Sequence, residues 1–173
     1  MFRSSILLLC LLAACGPVAQ PESNRTVAAY EVPLPTAEDK KRFLGLLAEV
    51  GQGEGFHVDA ASQSELEATS EVSPITFNAT VWRGEDEEVM ASAMDFQDRI
   101  GRVWISFPIG ENPVRSNRFR NALVPKIKDG WPTTASLPIM PTGAIPLTED
   151  LVRTPSGYQV KTSAASKYQQ TRP

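Results

Sequence analysis

Histidine occurs once, at His57, and cysteine twice, at Cys10 and Cys15. That leaves no His/Cys spacing for a zinc site. No serine stands in a G-x-S-x-G context, so the nucleophile elbow of α/β hydrolases is missing. No apolar run approaches the ~20 residues that span a bilayer. Basic residues are not in excess: the net charge is −3, which argues against nucleic acid as a partner. No internal repeat is visible. The glycines of Gly51-Gln52-Gly53-Glu54-Gly55 follow a helical pattern and lead into an extended one. A phosphate cradle needs the reverse order, so this stretch reads as a helix stop and turn. What is present is a hydrophobic fraction of 42%, enough for a modest core.

The first residues carry an address. Arg3 precedes the apolar run Ile6 to Leu12, and the small residues Ala13 and Ala14 follow. A positive start, a short apolar middle and a small-residue end make a secretory signal. The segment Leu12-Ala13-Ala14-Cys15 resembles the lipobox of bacterial lipoproteins, a resemblance confined to the first 16 residues. It implies cleavage before Cys15, a lipid on the Cys15 sulfur, and a mature chain that begins there. Cys10 is a poorer acceptor because Leu9, not a small residue, precedes it. The alternative is an ordinary signal peptide with an incidental cysteine. Loss of residues 1–14 removes Cys10 and leaves 159 residues with 16 basic and 20 acidic side chains. With Cys15 acylated, no thiol remains for a disulfide, a metal or nucleophilic chemistry, and no cofactor is implied. Gly16 stands where an aspartate resembles the inner-membrane retention signal of Gram-negative lipoproteins. The resemblance therefore implies the periplasmic face of the outer membrane.

Beyond the address, the chain divides into a lipidated N-terminus and flexible tether at 15–35, a single globular domain at 36–161 and a polar C-terminal tail at 162–173. The tether is proline-punctuated and without sustained period; within it, Val27–Val32 reads at most as an edge strand. Thr36 is placed to cap a helix with Phe43, Leu46, Leu47 and Val50 on one face, ended by Gly51. Phe56 to Asp59 reads as a short strand, and 60–73 as a loop with at most one helical turn. After Pro74 the period becomes two. Ile75 to Trp82, Val89 to Phe96 and Val103 to Phe107 read as an antiparallel meander. In the second of these strands Met90 and Met94 share one face, and Val89, Ala91 and Ala93 the other. Asn112-Pro113 opens a second helix with Phe119, Ala122, Leu123 and Ile127 inward, and Pro125 predicts a kink or a break. Residues 151–160 read as a hairpin around Pro155-Ser156-Gly157. The expected fold is α+β: a three- to four-stranded antiparallel sheet with two helices packed on one face.

Chemistry is sparse. A hydrolase would have to use His57 as base or pair two carboxylates. The run Glu85-Asp86-Glu87-Glu88 reads instead as a solvated turn. The positive feature is charge segregation. Residues 54–95 hold ten acidic side chains and one basic one, Arg83; residues 99–128 hold seven basic ones and one acidic one, Glu111. Either these segments pack together and cancel, or they present surfaces of opposite sign. On the second reading Arg115, Arg118 and Arg120 form a partner-binding face outside the apolar stripe. The expectation is a non-catalytic binding, adaptor or structural module, tethered to membrane lipid through Cys15 and contacting an envelope protein or wall component. The alternatives are a small periplasmic hydrolase using His57, and an inhibitor or immunity-type protein.

Overall fold

The computed structural model describes residues 22–70, 75–84, 88–96 and 99–169. Cys15, on which the lipid reading rests, lies outside them. A turn of 3-10 helix at Glu22–Asn24 leads into β1 (Thr26–Pro33). There follow α1 (Ala37–Gly53), β2 (His57–Ala60), α2 (Gln63–Ser70), β3 (Asn78–Arg83), β4 (Glu88–Met94) and β5 (Arg102–Pro108). Then come α3 (Pro113–Gly130), β6 (Ala135–Ser136) and the hairpin β7 (Leu151–Thr154) and β8 (Gly157–Val160).

The sheet is antiparallel with order β2-β3-β4-β5-β1-β6, and β7-β8 form a second, two-stranded sheet. The α+β class is as expected, but the main sheet has six strands rather than three or four. The meander β3-β4-β5 supplies its centre. The extra strands come from segments with weak patterns. The largest correction is β1. Residues read as tether form a strand flanked on both sides, by β5 along most of its length and by β6 at Tyr30 and Glu31. Its alternation explains why. Tyr30, Val32 and, beyond the strand, Leu34 turn to the helix side, while Ala29 and Glu31 turn to the other face.

On one face the inward residues of β1, β3, β4 and β5 meet two helical stripes, Phe43, Leu47 and Val50 of α1 and Phe119, Leu123 and Ile127 of α3. Thr36 caps α1 by accepting from the Asp39 amide at 3.0 Å. The helix continues two residues past Gly51, to Gly53, and the left-handed residue that turns the chain is Gly55 (φ 78°). Asn112 caps α3 through a 3.1 Å bond from the Arg115 amide. Pro125 neither breaks nor divides this helix, which runs as one element to Gly130. Pro125 lies on the exposed side, and Asn121, whose carbonyl one turn back loses its helical partner, is an exposed residue too. Ala122 is exposed and is not part of the inner stripe.

Strand β4 also departs from simple alternation. Val81 pairs with Ala91 but Trp82 pairs with Val89, so Met90 is a bulge residue. The bulge brings Met90 onto the core face with Ala91 and Ala93, not with Met94. The second face of the sheet is covered too: Ala29 and Trp104 pack with Ala135, Leu137, Leu151 and Tyr158. The segment read as a C-terminal tail begins with a 3-10 helix, Thr162–Tyr168, closed by the Tyr168 hydroxyl donating to Asp150 Oδ2 at 2.6 Å.

Candidate functional site

Two features of the sequence resolve into structure. The basic segment of α3 is one of them, and it folds onto the acidic segment. Arg115 Nη1 lies 3.2 Å from Glu88 Oε2, and its side chain is three-quarters buried. Glu88 Oε1 takes the backbone amides of Glu111 and Asn112 at 2.8 and 3.2 Å, so the carboxylate sits on the positive end of α3. Glu88 is therefore buried at 7% exposure, not part of a solvated acidic turn; residues 85–87 lie outside the described ones. Arg118 Nε donates to Glu54 at 2.6 Å, and Lys126 to Glu49 at 2.6 Å. Arg120 donates to Asn117 Oδ1 at 2.8 Å. Two ion pairs, Arg115–Glu88 and Arg118–Glu54, thus join the two segments among the described residues, while Arg99 and Arg102 meet Glu31 and Lys126 meets Glu49, outside the acidic segment. Arg115 is an internal brace of the fold, Arg120 is half-buried, and Arg118, although paired, is the exposed member of the three.

His57 is the other. It opens the edge strand β2 and is the register partner of Trp82 on β3. The two rings lie 5.5 Å apart at 44°. With Ala48 and Gln52 of α1, and with Phe56, Val58 and Asp59, they line an open hollow of about 340 Å³. No serine lines it, and no hydrogen bond to the His57 imidazole is found among the described residues. The indole N–H of Trp82 is shielded from solvent and has no acceptor among the described residues. The glycine that follows β3 leaves room beside the imidazole: a Cβ at Gly84 would stand 3.4 Å from His57 Nε2. The hollow offers an aromatic floor, an amide, an imidazole and a carboxylate.

One cluster was not legible in the sequence. Glu31 is fully buried within β1. Its Oε1 accepts from Arg102 Nε at 2.7 Å and from the Tyr158 hydroxyl at 2.8 Å. Its Oε2 accepts from Arg99 Nη1 and Trp104 Nε1, each at 3.2 Å. Burial by itself raises the Glu31 pKa. The bonds from Arg102, Tyr158 and Trp104 outweigh it, so the carboxyl titrates below the ordinary glutamate range. Every donor is fixed and converges on one group, which makes this a structural tie between β1, β5 and β8.

Among the described residues no three His, Cys, Asp or Glu side chains come together as metal ligands, and no helix is long and apolar enough to cross a membrane. Compared with known proteins, the chain matches no family model, no curated protein and no solved structure.

Proposed function

We propose that this protein is a lipid-anchored module of the bacterial cell envelope that binds rather than catalyses, held through Cys15 at the periplasmic face of the outer membrane. The observation that carries the binding reading is the hollow at His57 and Trp82. Its aromatic floor suits the apolar face of a sugar ring or a peptide side chain, and Gln52, His57 and Asp59 supply donors and acceptors at the rim. A wall component offers both chemistries. Arg118, exposed and paired with Glu54 beside the C-terminal end of α1, adds further polar groups near the same end of the helix pair.

The test is co-sedimentation with purified peptidoglycan sacculi, using the full chain carrying Cys15→Ser so that it cannot be acylated. Trp82→Ala is expected to weaken capture about tenfold, through the loss of one aromatic contact. His57→Ala is expected to weaken it less. Capture unaffected by Trp82→Ala would remove the hollow from the binding reading. Release of soluble wall fragments by the wild-type chain, abolished by His57→Ala, would establish the hydrolase alternative.

A further inference from the structure

A second concavity, at the β6 edge of the sheet and far from β2, takes no part in that reading. It lies between the end of α3, β6 and the turn joining β7 to β8, and holds about 210 Å³. Its walls carry Lys128, Arg153, Thr133, Thr134, Ser136 and Ser156, and no acidic side chain lines it among the described residues. In a chain whose net charge is −3, a cleft with two cations and no carboxylate is distinctive.

The hydroxyl oxygen of Thr134 is shielded from solvent and has no hydrogen-bond partner among the described residues. A buried hydroxyl left unpaired is costly, so a turn of the Thr134 side chain that brings the hydroxyl to a ligand's polar group in the cleft would be favoured. The cleft is also built rather than incidental. Gly157, at φ 127°, lets the hairpin close on β6: a Cβ there would stand 2.2 Å from Ser136 Oγ. Ser136 donates to the Ser156 carbonyl at 3.1 Å, and Arg153 Nη2 donates to the Thr133 carbonyl at 2.8 Å, which holds the guanidinium at the wall.

The charges facing the cleft favour an anion. Among the described residues the carboxylate paired with Arg153 is Glu31, 4.0 Å away, and Arg99, Arg102, Trp104 and Tyr158 already occupy its oxygens. Lys128 is exposed, with its ammonium 5.3 Å from the Tyr30 ring centre. The negative end of α3 is partly answered, since the Gly130 carbonyl accepts from Arg42 at 3.0 Å and that of Ile127 from the Trp131 amide at 2.8 Å. Two cations and several hydroxyls offer more donors than the two oxygens of a carboxylate use, and match a phosphate group.

We infer that this cleft is a phosphate-binding site, taking the phosphate of a free anion or of a lipid headgroup through Lys128, Arg153 and the Thr134 hydroxyl. The experiment is a nuclear magnetic resonance titration of the full chain carrying Cys15→Ser, first with inorganic phosphate and then with phosphatidylglycerol vesicles. Saturable shifts confined to residues around Thr134, Arg153 and Ser156 are expected. Thr134→Val and Lys128→Gln should each lower the affinity about tenfold, the worth of one hydrogen bond to a charged group. Thr134→Val removes an unpaired hydroxyl and should melt no lower than wild type, so its weaker binding cannot be ascribed to unfolding. Trp82→Ala should leave phosphate binding unchanged, which separates this site from the hollow at His57. Binding to vesicles but not to free phosphate, lost in the same two variants, assigns the headgroup as the source. Absence of saturation in both arms overturns the site. So does an affinity unchanged in Thr134→Val and Lys128→Gln while Arg118→Gln lowers it.

Discussion

Glu31 shows how one side chain carries information that its neighbours in sequence conceal. In the run Thr26–Pro33 it looks like the polar residue that disqualifies a buried strand. It is instead the acceptor on which Arg99, Arg102, Trp104 and Tyr158 meet. Replacing it by glutamine leaves two partly buried arginines facing a neutral amide, and a broken buried pair costs about 3 kcal/mol. Urea denaturation at neutral pH should show that loss. The pH dependence has a definite sign. The Glu31 carboxyl is held below its ordinary range, so its contribution is complete above that range and fades as the pH falls through the lower folded value. Wild type and Glu31→Gln should therefore converge in stability in strong acid, and a gap independent of pH would mean that the charge of Glu31 is not what stabilises. Arg115 and Arg118 can be separated in the same way. Arg115→Glu sets a carboxylate against buried Glu88 and should destabilise by about 2 kcal/mol, whereas Arg118→Glu, on an exposed side chain, should cost less than about 1 kcal/mol. Equal melting temperatures for the two would contradict the pairing described for Arg115.

At the scale of elements, legibility follows the number of local signals that agree. Both α1 and α3 have a capping residue and an apolar stripe, and the sequence alone is enough to place them. Leu47 lies mid-stripe and fully buried, so Leu47→Ala should cost roughly 2–5 kcal/mol while exposed Lys41→Ala stays within about 0.5 kcal/mol, as read by thermal melting. Helix α2 reads as loop in the sequence because its residues are polar, and Leu66 is the buried one among those described. Its signal is a capping box. The Ser62 amide donates to Glu65 Oε2 at 2.7 Å and the Glu65 amide to Ser62 Oγ at 3.4 Å. Strand β6 is two residues long and exists only because β1 offers it an edge, information that no local window holds. The β4 bulge is hidden for a related reason: Met90 is apolar like its neighbours, and only pairing with β3 decides which of them is doubled. The sites are concealed by the same logic. His57 is visible as a lone histidine, but its ring partner Trp82 is set by the β2–β3 register. Lys128, Thr134 and Arg153 come from three segments that meet only after the hairpin docks.

For the whole molecule, the two ends of the chain stand differently. The C-terminal hairpin spans the residues expected of it and covers the second face of the sheet. The N-terminal address remains a proposal with a direct check. Cys15→Ser should leave uncleaved precursor or move the protein to the soluble fraction, because each buried acyl methylene contributes ~0.8 kcal/mol and that whole contribution disappears. Normal processing with retained membrane association would rule the lipobox out. The position of β1 then sets the working range of the molecule. The expected tether of residues 15–35 would have let the domain roam. With Glu22–Asn24 and β1 incorporated in the fold, the lipid proposed on Cys15 would be separated from the body by residues 15–21 alone, and a fully extended chain of that length reaches about 24 Å. On the lipid-anchor proposal, so short a leash would keep the protein from patrolling the periplasm. A chain anchored as proposed would stand against its own bilayer, and whatever it captured would have to come down to the membrane surface to be met.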